Sequence, residues 1–221
     1  MSEKMHERLE SVHKDIIFLA NEVEDALFKA VKSLRKQDVE LAKKVKEDDW
    51  KINRQEVNIE KQILEIMALQ QPVAVDLRFL IVALKMNNDL ERMADHAKSI
   101  AKIAIKISGE PFMPPFEHIE RLGKITRRML HDSVQAFIHR DSDLAREVLE
   151  RDEEVDNLYD KITEDVFALL EEKQDKIRQG YEIINTAKHL ERAADLATNL
   201  SEDVIFMNDA EIVRYGINEV E

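Results

Sequence analysis

The residues that could do chemistry in this chain are carboxylates, and they come in rows. Glu91 and Asp95 lie four positions apart, and one hundred positions later Glu191 and Asp195 repeat the pair. A four-residue step on a helix keeps side chains on one face, so each copy presents two acids together, extended by Ser99 in one copy and Asn199 in the other. A second set has the same spacing: Asp49 with Asn53, and at an offset of 103 positions Asp152 with Asp156. If the carrying helices are antiparallel neighbours, two acidic rows face one another in each half of the chain. Facing carboxylates repel, and relief comes from protons, from Arg or Lys partners, or from a cation. An all-oxygen set of Asp, Glu and Asn suits hard ions such as Mg²⁺, Ca²⁺, Mn²⁺ or Fe³⁺. The metal-free alternative is an ion-pair lattice in which Arg78, Arg92, Arg178 and Arg192 neutralise the rows.

With 46 acidic residues in 221, one Glu-x-x-x-Asp carries no information; its recurrence in matched surroundings does. Those surroundings are Leu90-Glu91-Arg92-Met93-Ala94-Asp95-His96-Ala97 and Leu190-Glu191-Arg192-Ala193-Ala194-Asp195-Leu196-Ala197. An internal repeat of this length predicts two related domains of about one hundred residues.

The elements that must position these residues are helices. The composition, 44% hydrophobic and 36% charged with only four Gly and four Pro, suits long charge-faced helices. Leu9, Val12, Ile16, Leu19, Val23, Ala26 and Ala30 alternate at three and four residues, the pattern of a bundle seam. A second helix begins at Asp38 as its cap and carries Leu41, Val45, Ile52, Ile59, Ile63 and Ile66 up to Gln70-Gln71-Pro72. A third, after Pro72, carries Leu80, Ala83, Asn87, Leu90, Ala94, Ala97, Ala101 and Ala104. Proline and glycine between Gly109 and Pro115 break the pattern. The plan then recurs: Leu122 to His139, a helix capped by Asp141 and running through Leu144, Val148, Val155, Ile162 and Leu169, and a last helix from Ile177 to Val204. The prediction is an all-α tandem duplication of two three-helix, up-down-up bundles. Residues 1–108 form the first and 116–207 the second, with 109–115 as linker and 208–221 as a loose tail. Each half is expected to bury its own core, and the small residues Ala94, Ala97, Ala101, Ala194, Ala197 and Ser201 to bring neighbouring helices close.

Several function classes drop out. No cysteine is present, so disulfides, thiolate metal sites and thiol nucleophiles are excluded. No signal-peptide pattern opens the chain and no run of about 18 apolar residues spans a bilayer, so a cytoplasmic protein is expected. A net charge of -13 opposes direct nucleic-acid binding. No phosphate-cradling glycine loop and no nucleophile paired with a base stands out, so no catalysis is expected.

Taken together, the repeated Leu-Glu-Arg-x-Ala-Asp-x-Ala, Asp76-Leu77-Arg78 and the Asp152 to Asp156 pair resemble the PhoU family of phosphate-uptake regulators over nearly the whole chain. The resemblance implies three-helix bundles whose Glu/Asp-x-x-x-Asp motifs hold metal ions or multinuclear clusters, with iron, manganese or magnesium as candidates. It assigns Asp49, Glu91 and Asp95, with Asn53 in the same row, to one site. Asp152, Asp156, Glu191, Asp195 and Asn199 form the other. The family usually has Gly at Ala94 and Ala194, often Asn at Ser99 and often Asp at Asn53, so the first site has fewer anions and the second is expected to hold metal more tightly. The implied role is an adaptor for a phosphate ABC transporter and a sensor histidine kinase, restraining phosphate uptake or its gene programme; a homodimer is expected from the long amphipathic faces. Two alternatives remain: a ligand-free helical adaptor, and a ferritin-like di-metal enzyme. The latter needs Glu-x-x-His pairs, of which Glu3–His6 and Glu10–His13 both lie on the first helix. Partner contact at the apolar turn Gln70 to Val75 is also expected.

Overall fold

A computed structural model describes residues 3–109, 111 and 116–213. Among these residues there are seven α-helices: α1 (Glu3–Lys36), α2 (Val39–Gln70), α3 (Ala74–Lys106), α4 (Phe116–His139), α5 (Ser142–Glu150), α6 (Asp152–Glu172) and α7 (Ile177–Asp209), the last preceded by a 3₁₀ turn over Gln174–Lys176. No helix among them is long and apolar enough to cross a membrane. Most of the predicted linker (110 and 112–115) and the tail from 214 lie outside the described residues.

The helix starts follow local chemistry. The Asp38 carboxylate accepts from the Leu41 amide at 2.9 Å, and Asp141 does the same for Leu144 at 2.9 Å, each satisfying one of the unpaired amides of a first turn. The residues before these caps, Gln37 (φ 51°) and Arg140 (φ 53°), are both left-handed and again 103 positions apart, so the repeat extends to the backbone of its turns.

One predicted helix is two. The second helix of the second half is interrupted at Arg151, whose amide reaches back to Val148 O at 3.1 Å in a tighter turn. Arg151 also ion-pairs with Asp132 of α4, so the break is held by a contact between helices. The α7 helix runs past its predicted end at Val204 to Asp209, two residues into the predicted tail.

The first repeat packs α1, α2 and α3 together, and the second packs α4, α5–α6 and α7. Across the repeats α3 lies antiparallel to α7, as the pairs Lys85–Asp203 (2.8 Å) and Lys106–Glu182 require. Likewise α1 lies antiparallel to α4, tied by Arg35–Glu120 (2.9 Å) and Arg127–Glu24 (2.9 Å). Four helices thus form the centre, with α2 and α5–α6 outside them. The buried apolar residues form one cluster through both halves rather than two separate cores. Phe137 of α4 stacks at 6.2 Å on Phe79 of α3, and the ring of His13 on α1 meets Phe137 at 4.9 Å, tilted by 43°. The predicted small residues of α3 and α7 are all buried, and on α7 Ser201 and the Ala197 carbonyl meet Ser133 of α4 at 2.9 and 3.0 Å. Gly180 serves the same purpose: a Cβ there would come within 2.9 Å of Leu170 Cδ1, so its absence lets α7 lie against α6.

Candidate metal centre

The packing of α2 against α3 brings the first row together. Asp49, buried on α2, accepts a 3.4 Å hydrogen bond from Asn53 Nδ2. From α3, Lys98 places its Nζ 2.6 Å from Asp49 Oδ2 and 3.5 Å from Asp95 Oδ1. The ammonium therefore stands between the two helices where a cation is needed. The hydrogen bond to Asp49 raises the Lys98 pKa and keeps it charged. Burial raises the Glu91 carboxyl, helped by the charges of Asp95, Glu56 and Asp49 and opposed by Lys98.

The second row has the same acids without that lysine. Position 198, the repeat equivalent of Lys98, is Thr198, whose hydroxyl donates to the Asp195 carbonyl at 2.7 Å. Among the described residues no Lys or Arg nitrogen lies within ion-pair distance of Asp152, Asp156, Glu191 or Asp195. The electrostatics follow. Burial, together with the charges of Asp156, Asp195 and Glu202, pushes Asp152 up to about 6. Glu191 is raised by burial and by Asp195, Asp156 and Asp152, and Asp195 by burial and Asp156, both against the pull of Arg192. Asp152 Oδ1 is buried with no hydrogen-bond partner. Asp49 Oδ1 and Asn53 Oδ1 are likewise orphaned, but there Lys98 supplies the missing charge.

Across the α3–α7 seam lies a groove of about 720 Å³, lined by Asp95 from the first row and Glu191, Asp195 and Asn199 from the α7 part of the second, with Arg92 and Arg192 beside them. On its wall His96 Nδ1 faces His189 Nδ1 at 3.0 Å, a distance that requires one ring to donate and the other to accept. Burial, the facing ring and the two arginines lower His96 to about 4, so this ring is neutral at physiological pH, and burial with Arg192 and Lys188 lowers His189 as well.

The nine predicted residues lie on helices, Asp49 and Asn53 on α2, Glu91 and Asp95 on α3, Asp152 and Asp156 on α6, and Glu191, Asp195 and Asn199 on α7; of these, Asp95, Glu191, Asp195 and Asn199 line the groove. The predicted lattice differs: Arg92 pairs with Asp89 at 3.0 Å, Arg78 Nε is buried without a partner, and among the described residues none of the four arginines bridges a row acid. The neutralising residue is Lys98, which sequence reasoning missed although it stands three positions after Asp95. His13 packs on Phe79 and Phe137, and His6 pairs with Glu10 at 3.4 Å; neither lines the shared groove.

The second row fits a hard cation by donor chemistry and by its orphaned oxygen. The first does not, unless Lys98 is displaced. Among the described residues no three His, Asp or Glu side chains already converge on a single metal position, so the carboxylates of the second row would have to rotate inward to share an ion.

Comparison with known proteins extends over nearly all of this architecture. The PhoU domain family model matches residues 16–104 and again 119–204. The phosphate-specific transport system accessory protein PhoU homolog of Aquifex aeolicus is 37% identical over 212 residues, covering 96% of each chain. The corresponding Escherichia coli protein is 31% identical over 206 residues, covering 93% of this chain and 86% of that one. The crystal structure of PhoU from Pseudomonas aeruginosa superposes with a TM-score of 0.91 at 32% identity, over 93% of this chain and 99% of that one.

Proposed function

The chain belongs to the PhoU family, and on that premise we propose that it is a non-enzymatic regulator of phosphate uptake and phosphate-starvation signalling. In this reading it acts in the cytoplasm as an adaptor between a phosphate ABC transporter and a sensor histidine kinase. The accessory-protein names of its relatives support the transport half of that role. The partner surface proposed for it is the α2–α3 turn, where Leu69, Val73 and Val75 leave apolar side chains in solvent at one end of the bundle.

The observation that carries the chemical part is the contrast at positions 98 and 198. The row of Asp152, Asp156, Glu191 and Asp195, with Asn199 beside it, lacks a built-in cation and binds a divalent or trivalent ion, with iron, manganese and magnesium as candidates. An ion there would relieve the mutual repulsion of the acids and satisfy Asp152 Oδ1. The row of Asp49, Asn53, Glu91 and Asp95 is closed by Lys98 and serves as structure. Lys98 also favours the ligand-free adaptor as a second reading, for that half alone.

The test is made in cells. Disruption of the gene should raise phosphate uptake and starvation-gene expression when phosphate is plentiful. Wild type should restore repression, and a variant with alanine at Asp152, Asp156, Glu191 and Asp195 should not. Full repression by that variant would separate the metal from the function, and unchanged uptake on disruption would remove the regulatory reading itself.

A further inference from the structure

A basic cleft lies between α1 and α4, on residues that play no part in the carboxylate rows. Its volume is about 380 Å³, and its charged lining is Lys32, Arg35, Lys36, Lys124 and Arg127 against Glu120 alone. In a chain with 46 acidic and 33 basic residues that local excess runs against the whole. The cations are only partly spent. Glu120 takes Arg35 at 2.9 Å and Lys124 at 3.3 Å, Arg127 pairs with Glu24, and among the described residues Lys32 and Lys36 make no ion pair.

The floor of the cleft is apolar. Phe28 is 43% exposed, with the Arg127 guanidinium 4.7 Å and the Lys32 ammonium 5.5 Å from its ring centre. Beside it Gly123 faces Val31, and a Cβ at 123 would meet Val31 Cγ2 at 3.0 Å, so any side chain here would crowd the floor. Concave apolar walls with a few charged groups at the rim, in a volume of about 300 to 1,000 Å³, are the usual form of a small-molecule site.

We propose that this cleft binds a nucleotide, its base against Phe28 and Val31 and its phosphates between Lys32, Lys36 and Lys124. The charge selects an anion, and the exposed aromatic floor selects one that carries a planar ring. The lining on α1 extends from Phe28 to Lys36, about 12 Å of helix, a length matched by one nucleotide rather than by a docked peptide helix.

The experiment is calorimetric titration of the full chain with ATP, adenosine and inorganic triphosphate, in EDTA so that metal held by the carboxylate rows cannot carry phosphate. ATP should bind saturably, about tenfold or more tighter than triphosphate, and more weakly as salt rises. The Lys36→Ala/Lys124→Ala variant, altered only at exposed positions, should lose about tenfold in ATP affinity or more, and Phe28→Leu should weaken ATP while leaving triphosphate unchanged. An Asp152→Ala/Asp195→Ala variant should bind ATP like wild type. No saturable ATP binding, triphosphate binding as tight as ATP, or ATP binding indifferent to the lysines would each overturn the assignment. A glutamate-rich peptide that displaces ATP from the lysines more effectively than triphosphate does would also overturn it, in favour of an acidic protein partner.

Discussion

Lys98 Nζ lies 2.6 Å from Asp49 Oδ2, an ion pair between α3 and α2 that puts a fixed positive charge inside the first acidic row. The same fold position in the second half holds Thr198, and the second row keeps its repulsion. Two copies of one motif have thereby become different: one neutralised by its own chain, one dependent on protons or a bound cation.

Removing the lysine should expose this difference. Lys98→Met leaves the buried Asp49 carboxylate without its counter-charge, a loss of about 1–3 kcal/mol. In EDTA the variant should melt several degrees below wild type, and added Mn²⁺ should recover more stability in the variant than in wild type. Equal melting temperatures with and without the lysine would remove its structural role.

The pH dependence has a definite sign. Asp152 moves from an ordinary value of 3.8 up to about 6 in the folded protein, so between those values the folded state holds a proton that the unfolded state has released. Metal-free stability should therefore fall as pH rises from about 4 to about 6. Metal affinity should rise over the same window, because the ion replaces the proton. Thermal melts in EDTA across this range, paired with Mn²⁺ titrations, check both slopes. A metal-free protein that gains stability from this window upward would contradict the assignment.

Asp152→Asn separates repulsion from ligation. It removes one charge from the row while keeping its shape, so the metal-free protein should be at least as stable as wild type and the metal should bind much more weakly. Loss of stability in EDTA would show instead that the Asp152 charge is needed by the fold.

The seam between α6 and α7 is equally specific. Gly180→Leu drives a side chain into Leu170 and Val166, contacts of 2.9 and 3.0 Å already at Cβ. The expected loss is about 1–3 kcal/mol, or roughly 2–4 °C per kcal/mol for a chain of this size, measured by thermal denaturation. A variant more stable than wild type would mean that α7 gains more from helix propensity than it loses in packing.

Much of this arrangement is legible in the residues. Periodicity and the caps Asp38 and Asp141 locate helices because they act within one turn, and the repeat places both acid rows because a four-residue step fixes a helical face. What the sequence conceals is set by contacts between helices. Arg151 carries no glycine or proline to mark a break, and its partner Asp132 is on another helix. Lys98 is three positions from Asp95, but its reach to Asp49 depends on how α2 lies on α3. The meeting of His96 with His189, and the single core, follow from the docking of the two repeats, which no local pattern encodes.

The central claim is that the second row binds metal and the first is closed. Elemental mass spectrometry on untagged wild type, Asp95→Ala and Asp195→Ala, each equilibrated with Mn²⁺ and freed of excess, tests it most directly. The account predicts stoichiometric metal in wild type and Asp95→Ala and its loss in Asp195→Ala. Equal loss from both variants, or no metal in wild type, would contradict it.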